Sequence, residues 1–323
     1  MSDTLTVASS DRILIVAPHP DDESIATGGL IQIARSAGAP VRVIVLTDGD
    51  NNPWPQRWIE KRWHIDASAR LRWGARRRAE ACAALRTIGL AEQDTAFLGL
   101  PDLGLTDLLM RNNQKIIHAL RAQIDEFRPT MLVMPAVSDR HPDHSAAHIL
   151  VRTALVQLPA PRLYTFAVHG RGADLPTAIV ALTSQQREIK RAAILAHQTQ
   201  MRLSRRRFLR YADSAELFQI GAVTSGENPA HPLRARFAED ERLHVSVDLA
   251  RWKGPWRNRA FFVALDTGAR ILQPLGQDEK RRDDMLHIKI ACPRRASGYV
   301  KLALPQPGWR VFDRHGWQRF EST

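Results

Sequence analysis

The chain has 323 residues, 44% of them hydrophobic and 25% charged, an ordinary balance for a protein with a packed core and length enough for about two domains. No stretch approaches the roughly 20 apolar residues that span a bilayer. Cys82 and Cys292 make no disulfide framework, so the expectation is a cytoplasmic protein. The 46 basic residues exceed the 34 acidic ones by +12, which suits an anionic partner or, equally, solvated arginine faces.

RILIVAP (12–18) and VRVIVLT (41–47) are rich in β-branched residues and read as buried strands, with TAFLGL (95–100) and TMLVMPA (130–136) as the next two. Between them, residues 24–37, roughly 72–90 and 107–127 carry apolar residues at helical spacing, with Gly38, Gly89 and Pro129 near the ends. Alternation of this kind predicts an α/β fold with a mostly parallel sheet, doubly wound and Rossmann-like, in strand order 3-2-1-4-5. Residues 141–157 read as a further helix, PRLYTFAV (161–168) as a strand, and 183–210 as a long or broken helical region. SGENPAHP (225–232) is a run of turn formers. Beyond it, LHVSVDL, RAFFVALD, MLHIKIA, YVKLALP and WRVFD alternate as antiparallel strands do. The division expected is a first domain over 1–224, a linker over 225–234 and a small β-rich domain of unknown role over 235–323.

Two clusters of ionisable residues follow strands. PHPDDE (18–23) comes after the first, and DRHPDHSAAH (139–148) after the fourth. In the expected order those strands are neighbours where the chain reverses, and ligands of such sheets bind beyond the strand ends at that reversal. Histidine with carboxylate and no cysteine suits a divalent transition metal in a catalytic site. His19 with Asp22, and His141 with His144, are spaced three apart and can face one way at a helix start. The plain alternative is that the aspartates cap helices and the histidines lie on the surface.

PHPDDE with a downstream HPDH resembles the PIG-L/LmbE-like family of metal-dependent N-acetylglucosaminyl deacetylases. LTDGD, RRRAEACAALRTIGL, FLGLPD and AHQTQ fit in order, so the likeness covers about 11–210. The resemblance implies that His19, Asp22 and His144 hold the metal, zinc or ferrous iron, and that Asp21 is the general base. It assigns His141, if protonated, to the oxyanion, with Asp143 as the partner that orients it. It places Arg77 of RxxE and Asp102 of LPD against the substrate, with Arg76 and Arg78 leaving the register open by one residue. His197 and Gln200 match the pattern without a mechanistic role, packing being the simpler one.

Residues 53–74 hold four of the eight tryptophans among basic residues. As a loop over the crevice, this segment would place Trp58 and Trp63 against a larger or anionic sugar; packing onto the body is the competing reading. MRLSRRRFLR (201–210) suits a solvated helix face, or a membrane surface if the sugar is lipid-linked. Trp252, Trp256, Trp309 and Trp317 suit glycan binding, an oligomer interface or core packing. The functional expectation is a hydrolase that removes an N-acetyl group from an amino-sugar glycoconjugate, with no nucleic acid as partner. The alternatives are a hydrolase of another amide, and a non-catalytic basic protein that binds glycan or nucleic acid.

Overall fold

A computed structural model of the chain describes residues 3–111, 114–170, 178–221, 231–237, 242–252, 259–275, 280–282, 284–293, 296–303 and 312–321. The first stretch runs through β1 (Asp3–Thr4), β2 (Ile13–Ala17), α1 (Asp22–Ser36), β3 (Val41–Thr47), α2 (Pro53–Glu60), α3 (Ala67–Ile88) and β4 (Thr95–Leu100). There follow α4 (Leu105–Met110), α5 (Gln114–Phe127), β5 (Met131–Pro135), α6 (Pro142–Ala154), β6 (Arg162–Phe166) and β7 (Ala178–Val180). The pair α7 (Ser184–Ala196) and α8 (Gln198–Asp213) leads into β8 (Glu216–Ile220). The remainder is β9 (Leu233–Phe237), β10 (Leu243–Asp248), α9 (Leu249–Trp252), β11 (Ala260–Leu265), β12 (Arg270–Pro274), β13 (Lys280–Arg282), β14 (Met285–Ile290), β15 (Gly298–Ala303) and β16 (Gln318–Phe320).

One large sheet has the order β1-β7-β8-β6-β5-β2-β3-β4. Its centre is parallel, β2 lying between β3 and β5, with β4 and β6 outside them. Only β8 runs against its neighbours, β6 and β7. Every residue of β2 and β5 is buried, because helices cover both faces, joined on one of them by the later strands. That is why these strands are continuous apolar runs without alternation.

Several element boundaries differ from those expected. The third helix starts at Ala67, where Asp66 accepts from the Ala69 amide at 2.8 Å and caps it. The 107–127 region is two helices, and 183–210 breaks at His197 and again at Ser204, whose φ of −167° is not helical. The segment at 53–60 is the helix α2, with Asn52 as cap and Pro53 in its first turn. Among the described residues no helix is long and apolar enough to cross a membrane.

The later strands form two four-stranded sheets, β13-β14-β10-β9 and β12-β11-β15-β16. Phe261, Val263, Val300 and Phe320 pack between them with Leu233 and Val245. The alternate residues of the second sheet, Phe262, Ala264, Tyr299 and Ala303, with Trp317 just before β16, instead join Leu14, Val16, Leu132, Met134 and Leu150 in one core. AFFVAL, the strand within RAFFVALD, is apolar without interruption because both faces of β11 are covered. The β-rich part is therefore a layer on the α/β body. Residues 225–230 of the expected linker lie outside the described residues, and β9 begins inside its last two positions. Of WRVFD, 309–311 lie outside as well, while Phe312 and Asp313 are not strand. Trp252 and Trp317 are buried; Trp256 and Trp309 fall among the residues not described.

Candidate metal centre

β2 and β5 are hydrogen-bonded neighbours, so the turns that follow them meet at one edge of the sheet. After β2 the chain turns so tightly into α1 that Asp21 has φ 151°, a region an L-residue enters at a cost of about 1–3 kcal/mol. The turn buries His19, Asp21 and Asp22, and Asp143 and His144 are buried at the start of α6. Asp21 holds the N-cap position of α1, yet its carboxylate caps no amide. It faces Arg77 Nη2 at 3.2 Å instead.

Asp22 Oδ2 sits 3.2 Å from His19 Nδ1 and 3.2 Å from His144 Nε2, with the two imidazole rings 5.3 Å apart. His19, His141 and His144 offer ring nitrogens within 4.8 Å of one another, and His19, Asp102 and Asp143 offer a second such group. His144 Nδ1 lies 3.1 Å from Asp139 Oδ2, and that carboxylate also accepts from the amides of Val168 and His169. With Nδ1 so engaged, His144 Nε2 points inward, buried, with the Asp22 carboxylate as its neighbour at 3.2 Å. A carboxylate on one ring nitrogen, with the second nitrogen turned toward another acidic ligand, is the arrangement of a metal-ligating histidine.

The charges agree with the geometry. Burial works against a charged His19, but the carboxylates of Asp102, Asp143 and Asp22 outweigh it and hold the ring well above the usual histidine range. Burial likewise opposes a charged His144, and Asp22 and Asp139 carry it up to about 10. Two imidazoles driven toward protonation mark a place short of positive charge, which a divalent cation would supply. Burial lifts Asp21 to about 6, Arg77 pulling it down and Asp22 pushing it up.

His141 differs from expectation. Its Nδ1 accepts from the Asp143 amide at 3.2 Å as the cap of α6, which leaves the proton on Nε2. Burial, then the nearby His19 and His144, hold it well below the usual range, so it is a neutral donor and no imidazolium. Asp143 reaches it only through the backbone. Its carboxylate accepts from the Leu103 and Leu105 amides and lies 3.3 Å from His19 Nε2, because α4 packs against α6.

Arg77, Asp102 and Gln200 line a cavity of about 330 Å³ together with His19, Asp21, Asp22 and His141. Arg77 is the buried member of its triplet and donates to Gly49 O and Pro20 O; Arg78 turns away to Asp48 and Arg76 to Glu80. Asp102 accepts from the Asn51 amide at 2.8 Å and stands 3.2 Å from His19 Nε2. His197 is buried 3.1 Å from Glu23 Oε1, behind the cavity wall. Trp58 and Trp63 do not reach the cavity. They are 79% and 78% exposed, Trp58 on α2 and Trp63 just after it; Trp63 packs edge-on to Trp54, and Arg57 lies over the Trp54 and Trp63 rings. Asp139, His169 and Phe312 belong to the site without having been singled out. Asp139 stood inside DRHPDHSAAH, five before His144, whereas His169 and Phe312 carry no local pattern.

Residues 14–155 match the family described as PIG-L: GlcNAc-PI de-N-acetylase. A 1D-myo-inositol 2-acetamido-2-deoxy-alpha-D-glucopyranoside deacetylase of Mycobacterium avium (strain 104) is 34% identical over 151 residues, 43% of this chain and 49% of the relative. The chain thus spans about half the length of the curated relatives it matches. The solved N,N'-diacetylchitobiose deacetylase of Pyrococcus horikoshii aligns with a TM-score of 0.50 at 22% identity, over 66% of this chain and 84% of that one. The 4-carboxy-2-hydroxymuconate hydratase of Pseudomonas putida KT2440 aligns with a TM-score of 0.51 at 20% identity, over 68% and 99%. Those two likenesses establish the shared fold.

Proposed function

We propose that this chain, whose residues 14–155 match the PIG-L family, is a metal-dependent hydrolase. Its reaction removes the acetyl group of an N-acetylglucosamine-type sugar and releases acetate and a free amine. The observation that carries this reading is Asp22 Oδ2 standing 3.2 Å from both His19 and His144, beside a buried Asp21 that caps nothing. The fold alone would not carry it, since a hydratase shares it. The match to relatives named as deacetylases of an acetamido sugar supports the amide as the bond.

His19, Asp22 and His144 would hold the ion, zinc or ferrous iron, with Asp139 fixing the tautomer of His144. When bound, such an ion would lower the pKa of a water toward about 7 and polarise the amide carbonyl. Asp21 is placed to take the proton of the attacking water. At about 6 its acidity lies just below neutral pH, so it is ionised before attack and a competent acid afterwards. The same carboxyl then delivers the proton to the departing nitrogen. Arg77 holds Asp21 in place and keeps it from rising further. His141 donates from Nε2 to the oxygen that gains charge, a contact worth about 3–4 kcal/mol in comparable sites. Asp102 fixes His19 and offers its edge to sugar hydroxyls. A non-catalytic binding protein would have no use for a buried base in a strained turn.

The test is acetate release from N-acetyl sugars by metal-loaded and chelator-stripped protein, with Asp21→Asn as control. Release that needs both the metal and Asp21 is expected. Bound metal without turnover on any N-acetyl sugar would sink the proposal.

A further inference from the structure

Beyond His169 the cavity leads into a second hollow of about 400 Å³. Both are walled by Val168, His169, Arg207, Tyr211 and Phe312, and the second adds Arg140 and Arg210. Arg140 directly precedes His141, while Arg207 and Arg210 are one turn apart on α8. Arg207 Nη2 lies 2.8 Å from His169 Nδ1, whose ring is 5.0 Å from that of His144. The hollow therefore begins one side chain from the catalytic centre.

Most arginines near the site are spoken for by carboxylates: Arg77 by Asp21, Arg78 by Asp48, Arg70 by Asp50. Arg140, Arg207 and Arg210 are not paired with any carboxylate among the described residues. Arg140 instead lies over the Phe312 ring at 5.8 Å, and its carbonyl accepts from the Asp313 amide. The β-rich part thus closes one side of the hollow and holds a guanidinium toward it. Three guanidiniums on one wall, with no carboxylate partner among the described residues, form a receptor for an oxyanion, which arginine binds through paired N–H donors.

We infer that this hollow receives an anionic group, a phosphate or a carboxylate, carried by the substrate beside its acetamido sugar. The inference rests on the deacetylase reading of the first cavity. It turns the surplus of basic residues into a local specificity element and gives the β-rich part a share in substrate choice through Phe312.

The test is steady-state acetate release by the metal-loaded full chain from three substrates. These are the neutral methyl glycoside of N-acetylglucosamine, its 1-phosphate, and a disaccharide bearing a glucuronate. A kcat/KM at least about tenfold higher on an anionic substrate is expected, carried in KM, and whichever anion is preferred names the source. The R140Q/R210Q double variant should bring that ratio to near one, whereas R205Q, on the same helix outside both hollows, should leave it as it was. Equal turnover of all three substrates, or a ratio lost equally in R205Q, overturns the inference while the deacetylase reading stands. Should no sugar turn over, the deacetylase reading fails, and calorimetric titration with inorganic phosphate decides the hollow by itself. Affinity at least tenfold weaker in R140Q/R210Q than in R205Q supports it, and equal affinities overturn it.

Discussion

The α/β body and the β-rich layer both rest on strands buried on two faces, yet they expose their purpose in the sequence very differently. In the body, β2 and β5 end in polar clusters that have no packing reason to be there, and those clusters converge. In the layer, β11 and β15 bury one row of side chains between two sheets and the other row against the body. Its contribution to the site, Phe312, comes from a segment that is not strand. The lesson is that chemistry concentrated at strand ends is visible locally, whereas a wall supplied from about 170 residues beyond His141 is visible only once the chain is folded.

The sharpest way to break this comparison is to remove chemistry from the body without touching the layer. His144→Ala should abolish metal retention and lower acetate release by at least about a thousandfold, and Asp21→Asn should cost about 10²–10⁴-fold with metal content preserved. Elemental analysis beside the rate separates the two. A D21N protein that keeps full activity would remove the assigned base. The pH profile sharpens the point. A base whose carboxyl is raised to about 6 is lost to protonation below that value, so kcat/KM should fall on the acid side through about pH 6. Arg77 lowers the carboxyl, so Arg77→Met should move that limb to higher pH; a limb that stays put would mean Arg77 only packs.

The next effect tests whether the layer is one body with the rest. Phe262 is 1% exposed and sits in the core shared with Leu14 and Leu132. Phe262→Ala should cost about 3–5 kcal/mol of stability and shift a single cooperative transition in calorimetry. Two separate transitions, with only the later one moved, would restore an independent C-terminal domain.

A smaller effect follows at the polar seam. Arg319 grips both oxygens of Asp266, Ser297 donates to it at 2.6 Å, and Arg152 of α6 approaches at 3.6 Å. Burial raises the Asp266 carboxyl, but Arg319 and Ser297 prevail and leave it below the usual range. A lowered folded-state value adds stability that is complete above about pH 4 and disappears as pH falls through the folded value. Asp266→Asn should therefore cost about 2 kcal/mol at neutral pH and flatten the acid side of the stability curve. An unchanged acid slope would show that the seam carries no charge-dependent stability.

Much of this was legible because the rules are short-ranged. Apolar runs marked β2, β3 and β5, and Gly89, in the left-handed region at φ 91°, ended α3 where a helix needs it. His19, Asp22 and His144 were legible because two clusters at neighbouring strand ends have to meet. Strands β7 and β8 were missed because three to five residues carry little periodicity, β9 because its alternating LRARF straddles the boundary expected between linker and β-rich part, and β16 because it is only three residues long. The protonation of His141 was also out of reach. It depends on which ring nitrogen caps α6 and on two other histidines held beside it.

The smallest predicted effect concerns the segment where composition misled. Four tryptophans among arginines between residues 53 and 74 suggested a sugar platform, but helical geometry sorts them one by one. Trp73 is buried in α3, Trp54 and Trp63 stack edge-on beside Arg57, and Trp58 faces outward from α2. An aromatic platform acts by covering a ligand that is itself held elsewhere, and none of these rings lines the cavity. Trp58→Ala should change stability by less than about 0.5 kcal/mol, as a surface substitution does. It should alter kcat/KM less than twofold on sugars of any length. A loss that grows with glycan length would instead show that α2 carries a remote subsite, and would move the boundary of substrate recognition outward from the hollow beside His169 to the helix that packs against α8.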